Sequence, residues 1–217
     1  MNFVELADRT WKKCGLTGLG PVNVASEVSM HGRIVSYVQD AYTEIQQAHT
    51  NWAFLWKSAD LTLTPAMGST VLPATLALTD FNRFARVLVN TGAGYYPIEL
   101  LKHHNYLELD NPGTGVPTKV ALRPDGRFAF DTVATSDVSL RVEYYRSLHE
   151  LSANLDVPII PVDHHLTIMW KAVIAYANFD EEATVLAEAT KEASRSMLKL
   201  EINQLPELTF KTSEFLS

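Results

Sequence analysis

Apolar residues recur at helical spacing at both ends of this chain and at strand spacing in its middle. Near the start, Phe3, Leu6, Ala7 and Trp11 fall on one helical face, and Gly15 predicts a stop. A loop rich in Gly and Pro, 15–22, follows. The strongest helix signal predicts an element from about Ser29 to Asn51. There Ile34, Val38, Ala41, Ile45, Ala48 and Trp52 step by 4, 3, 4, 3 and 4, opposite the polar Ser36, Asp40, Thr43 and Gln47. From 57 to 146 the period changes. Ser58–Thr64 and Val138–Tyr145 alternate as half-buried strands do, and Arg86–Asn90 and Tyr95–Ile98 read as short strands. Pro124-Asp-Gly126 between Lys119–Arg123 and Arg127–Phe130 predicts a hairpin, because Pro presets φ and Gly accepts a positive φ. Residues 111–118 read as a turn or exposed loop.

Helices return after 147. Asp163 is placed to cap one running to about Ala177, with Ile168, Ala172 and Ile174 among its apolar positions. Asn178-Phe179 interrupts it. Asp180 is placed to cap a last helix to about Asn203, striped by Leu186, Ala189, Ala193, Met197 and Leu200, with Glu181 and Glu182 where the helix dipole favours negative charge. Pro206 ends it. The predicted fold is α+β: a helical bundle from 1–56 and 147–203, an inserted small antiparallel β-sheet module at 57–146, and an extended C-terminal arm at 204–217. Leu208, Phe210, Phe215 and Leu216 give that arm four large apolar side chains with no partner in their own pattern.

Composition narrows the function classes. The 217 residues are 47% apolar, enough for a sizeable core and against disorder. A net charge of -7 argues against a dedicated nucleic-acid grip, which clusters basic side chains. One cysteine, Cys14, excludes an internal disulfide and a cysteine metal cage. No secretory signal is read at the start, and no window reaches the roughly 18 uninterrupted apolar residues of a membrane helix. No phosphate loop, dinucleotide fingerprint, H-E-x-x-H or G-x-S-x-G is present. His103-His104 and His164-His165 are adjacent pairs, and neighbours in sequence point apart on a helix or strand, so neither pair readily shares one metal. A joint site from both pairs with Asp163 or Asp110 is the alternative to local hydrogen bonding. Lys12 and Lys13 beside Cys14 offer it a lowered pKa, against the plainer reading of a small apolar residue at a helix end. Trp52, Phe54 and Trp56 are two apart, as on a strand face, and are expected to plug the junction between bundle and β module.

Several segments in order resemble the head-to-tail adaptor (connector) proteins of tailed bacteriophages. They are Ile34-Val-Ser-Tyr-Val-Gln-Asp-Ala-Tyr-Thr-Glu-Ile45, Asn51-Trp-Ala-Phe-Leu-Trp56, Leu78-Thr-Asp-Phe81, Leu122-Arg-Pro-Asp-Gly126 and Tyr144-Tyr-Arg146. Asp163-His-His-Leu-Thr-Ile-Met-Trp-Lys-Ala172, Tyr176-Ala177 and Glu201-Ile-Asn-Gln-Leu-Pro206 continue the series, so the resemblance spans about 1–206. The arm after it matches no family motif. The resemblance implies a structural virion protein without cofactor: a homo-oligomer, a dodecameric ring under the portal protein in the neck. Such a ring extends the DNA channel and docks a downstream tail or neck protein. Genomic DNA would pass a lumen whose net negative charge avoids trapping phosphate. The arm, through Leu208, Phe210, Phe215 and Leu216, is expected to dock on the portal or a neighbouring subunit. Two rivals are a stopper or terminator further along the neck, and a small metal-dependent hydrolase built on His103, His164 or His165.

Overall fold

A computed structural model describes residues 1–25, 29–107 and 112–206. The chain divides into two compact units. One takes Met1–Phe54 and the chain from Leu148 onward; the other is Leu55–Ser147.

The helical unit begins with α1, Phe3–Lys13, which buries Phe3, Leu6, Ala7, Thr10 and Trp11. A reciprocal cap starts it: the Glu5 amide donates to Asn2 Oδ1 at 2.9 Å and the Asn2 amide to Glu5 Oε2 at 3.0 Å. Gly15, at φ 70°, turns the chain out of it. The next helix, α2, spans Met30–Ala48 and buries Ile34, Val38, Ala41 and Ile45 as its stripe predicts. It stops three residues short of the expected Asn51, because His49 is extended (φ −140°, ψ 139°). Ala48 is consequently exposed. Trp52 joins the stripe by another route, since the chain folds back and its indole N–H donates to the Ile45 carbonyl at 2.8 Å.

Two cap expectations are corrected. A 3-10 turn, Val162–His164, precedes the long helix at His165–Phe179, and Asp163 makes no side-chain cap there. Asp180 ends this helix instead of starting the last one; its carboxylate accepts from Tyr176 Oη at 2.8 Å, and the final helix runs Ala183–Gln204 after Glu182.

Of the remaining helices, a short one at His103–Leu107, unforeseen by the pattern, lies in the other unit. Numbered in chain order it is α3, which makes the long helix α4 and the final helix α5. Within the helical unit α4 packs against α1, α2 and α5. It buries residues on several sides, among them His165, Thr167, Ile168, Met169, Ala172 and Val173, which is why its polar–apolar pattern is weak.

The second unit carries two four-stranded sheets. The first orders β1 (Trp56–Leu63), β10 (Val138–Arg146), β3 (Phe81–Asn90) and β4 (Tyr95–Pro97), all antiparallel. The second orders β2 (Thr70–Val71), β8 (Phe128–Phe130), β7 (Lys119–Leu122) and β5 (Glu99–Leu101). Its β7–β8 pair is the predicted hairpin, with Gly126 at φ 78°. Two short pairings depart from the antiparallel rule: β5 runs parallel to β7, and β6 (Gly113–Thr114), inside the expected loop, runs parallel to β9 (Thr132–Val133). One apolar cluster takes Leu61, Leu63, Val87, Leu140 and Val142 from the first sheet and Val120, Phe128 and Phe130 from the second. Among the described residues, no helix is long and apolar enough to cross a membrane.

Candidate functional site

The helical unit leaves one side of α5 uncovered. Of its 22 residues only Ala189, Ala193 and Leu200 are buried, all three on the predicted stripe. Small residues at two of these places let α5 lie close to α4, while Leu198 and Ile202 stand out into solvent, Ile202 at 71% exposure.

Between α4 and α5 runs an open groove of about 530 Å³. Leu166, Thr167 and Trp170 line it from α4, and Arg195, Lys199 and Ile202 from α5. One end is fixed by Asn203, whose amide lies 3.1 Å from His164 Nε2. At the groove's floor Thr167 is fully buried, and its hydroxyl has no hydrogen-bond partner among the described residues. Leu166 and Trp170 also line a second, mainly apolar hollow of about 380 Å³, with Met169 beneath and Arg9, Lys12 and Lys13 at its rim. Lys13 Nζ sits 4.9 Å from the centroid of the Trp170 ring, and Lys12 pairs with Asp8 at 2.5 Å.

A second uncovered surface lies on loops of the same unit. The Val24 amide donates to Asn154 Oδ1 at 2.8 Å, which brings the 15–25 loop beside the segment after 151. Leu19, Val22, Leu155 and Val157 stay exposed in these two stretches, Leu155 at 78%. Asp156 between the last two turns back on its own loop, accepting from the Ala153 and Ser152 amides at 2.7 Å; these bonds hold its carboxyl below the usual range.

Asp110 lies outside the described residues, and among the described ones neither enzymatic candidate gathers a site. His164 and His165 belong to the helical unit, and His103 and His104 to the other. His165 uses both ring nitrogens: Nε2 donates to the Ile160 carbonyl at 2.9 Å, and Nδ1 lies 3.0 Å from the Met1 amino group. Among the described residues no three His, Cys, Asp or Glu side chains could hold one metal ion. Cys14 is buried; burial, and then the negative charge of Asp180, push its thiol up to about 12, so it is a poor nucleophile. The neighbouring lysines, which suggested the opposite, do not offset that burial.

Of the aromatic trio, Trp52 is fully buried in the helical unit and stacks on Phe54 with centroids 5.2 Å apart. His49 meets the Trp52 ring edge-on at 4.8 Å. Trp56 opens β1 in the other unit and is 45% exposed. Leu208, Phe210, Phe215 and Leu216 lie outside the described residues. Sequence patterning missed the α4–α5 groove, because a groove is defined by two helices together. Ile202, apolar yet off the α5 stripe, was its one visible signal.

The family model described as SU10 adaptor protein matches residues 1–209, nearly the whole chain and both units. No curated protein matches the chain.

Proposed function

The chain belongs to the SU10 adaptor protein family, a phage head-to-tail adaptor family, and from that premise we propose that it assembles as a dodecameric ring in the virion neck. The ring sits under the portal, lengthens the DNA channel and presents a docking surface to the next tail or neck component. The match over residues 1–209 carries this reading.

Three further observations support it. The helical unit presents two uncovered surfaces, the mixed polar and apolar α4–α5 groove and the loops bearing the exposed Val22 and Leu155, and a subunit in a ring needs one surface for each neighbour. A net charge of -7 suits a conduit through which DNA slides without being held. The arm with Leu208, Phe210, Phe215 and Leu216 is apolar enough to seat on the portal or on a neighbouring subunit.

Negative-stain microscopy of the purified chain mixed with the portal protein of the same phage tests the proposal. The expected result is an added tier beneath each portal ring, with its symmetry countable directly. Bare portals beside folded, monodisperse protein would overturn it. Deleting 207–217 is expected to leave the fold intact and weaken the decoration of portals; unchanged decoration would remove the arm from the attachment.

A further inference from the structure

We infer that the hollow between α1 and α4 receives the α4–α5 turn of a second copy, with Phe179 on its apolar floor and Glu181 and Glu182 against its cationic rim. This rests on the ring proposed above and adds which surface meets which. The hollow, about 380 Å³, is lined by Leu166, Met169 and Trp170 and rimmed by Arg9, Lys12 and Lys13. Its occupant must be apolar at the centre and negative at the edge. A nucleic-acid phosphate would satisfy the rim and leave Leu166, 41% exposed, without cover. Lys12 already pairs with Asp8, but an exposed pair one helical turn apart is worth little and exchanges readily.

The chain itself carries that complementary chemistry. Residues 178–184, where α4 ends and α5 begins, are all exposed. Arg33 lies over the Phe179 ring at 4.5 Å, and the residue is still 51% exposed. Asp180 is engaged by Tyr176, which leaves Glu181 and Glu182 as the carboxylates facing water. A chain does not fill its own hollow this way. Phe179 lies nine residues beyond Trp170 on α4, which is two and a half turns, so it sits about 14 Å further along and on the opposite side. Arg33 places that side toward α2, whereas the hollow opens between α1 and α4. Complementary surfaces on opposite sides of one helix make a head-to-tail contact, which repeats from copy to copy and closes into a ring when the rotation allows. Both surfaces continue those described above. The hollow shares Leu166 and Trp170 with the α4–α5 groove. Phe179 neighbours the 15–25 loop, because His31, two residues before Arg33, has its Nε2 3.1 Å from the Leu19 carbonyl. The charges set the register of the contact, and burial of the phenyl ring supplies its affinity.

Carbodiimide coupling, which joins an amine to a carboxylate only where the two touch, tests it on the full chain. Light and heavy-isotope chains are mixed and coupled, both free at high concentration and together with portals of the same phage. Mass spectrometry should find Lys12 or Lys13 joined to Glu181 or Glu182, between light and heavy chains. The link from Asp8 to Lys12 within α1 is the internal control for folding and coupling. Phe179→Ser, at an exposed position, should lower the interchain link by roughly fivefold or more and leave the control link unchanged. Reversing both pairs in one chain, Lys12→Glu and Lys13→Glu with Glu181→Lys and Glu182→Lys, should restore the link with the roles exchanged. Absence of the interchain link from both preparations, or a yield unmoved by Phe179→Ser, would overturn the contact. Coupling of Lys12 or Lys13 to portal carboxylates instead would overturn it too and give the hollow to the portal. Decorated portals without the link would leave the ring standing and remove this contact; the link without decoration would do the reverse.

Discussion

Gln46 hydrogen-bonds both main-chain groups of His149: its Nε2 donates to the His149 carbonyl at 2.9 Å, and its Oε1 accepts from the His149 amide at 2.9 Å. One turn earlier, Tyr42 Oη accepts from the Ile159 amide at 3.0 Å and lies 3.0 Å from His149 Nδ1. Two side chains of α2, both buried, thus act as the hydrogen-bonding edge that the returning segment would otherwise find in a sheet. Replacing Gln46 with Leu keeps the volume and removes both bonds. It is expected to cost about 1–3 kcal/mol, because two partly buried backbone groups lose this side chain's bonds. The midpoint of urea unfolding reads this out; an unchanged midpoint would mean water replaces the amide.

Gly20 lies against α1. A Cβ there would stand 3.1 Å from the Asp8 Cα and would collide with the Asp8 carboxylate. The carboxylate can swing away, but the helix backbone cannot. Gly20→Ala is expected to destabilise by roughly 1–3 kcal/mol, the usual range for overpacking. Thermal unfolding is the check, and a melting temperature equal to the parent's would show that the 15–25 loop yields freely.

The His165 imidazole is held below its ordinary value of 6.5, chiefly by burial; the Ile160 carbonyl works against this and the positive Met1 amino group adds to it. A lowered folded pKa means that the unfolded chain takes up the proton first. Its share of stability is therefore complete above about pH 6.5 and is lost as pH falls through the folded value. The lowered carboxylates of Asp80 and Asp156 act in a separate window, below their ordinary 3.8. Urea midpoints should drop between pH 7.5 and 5.5 in the parent, and the drop should shrink in His165→Gln. An equal drop in both would assign the slope to another group.

Trp52 and Trp56 separate what periodicity joins. Trp52→Ala removes a fully buried ring, its bond to Ile45 and its stack on Phe54, and is expected to cost about 3–5 kcal/mol. Trp56→Ala, at a 45% exposed position, is expected to cost about 1 kcal/mol or less. Chemical denaturation of the two variants side by side decides it, and similar losses for both would show that the rings act together as one plug.

Much of the α+β arrangement is legible in the primary structure, where periodicity reports which face of an element meets apolar surroundings. Three buried positions of the α5 stripe, the α2 stripe from Ile34 to Ile45, and the β7–β8 hairpin all follow from local spacing. The reciprocal Asn2–Glu5 cap of α1 was not among the sequence expectations, although the three-residue spacing fits it. Less readable are Tyr42 and Gln46, which look like polar surface residues yet are buried, because their partners lie more than a hundred residues away. The cap roles of Asp163 and Asp180 failed for a related reason. Asp favours helix N-caps but serves turns as well, and the packing of α4 decided which role each took.

By itself, then, the chain determined its helical ends and strand-rich middle, and through the order of its segments the adaptor family it belongs to. Those are properties of short stretches, set by spacing and side-chain type. Only the tertiary structure decided that β5 pairs parallel with β7, that Trp52 returns beneath α2, that Cys14 is silenced by burial, and that α4 and α5 leave a groove between them. Each depends on which distant surfaces exclude water from one another, and that is fixed when the elements pack rather than by any one element's own pattern.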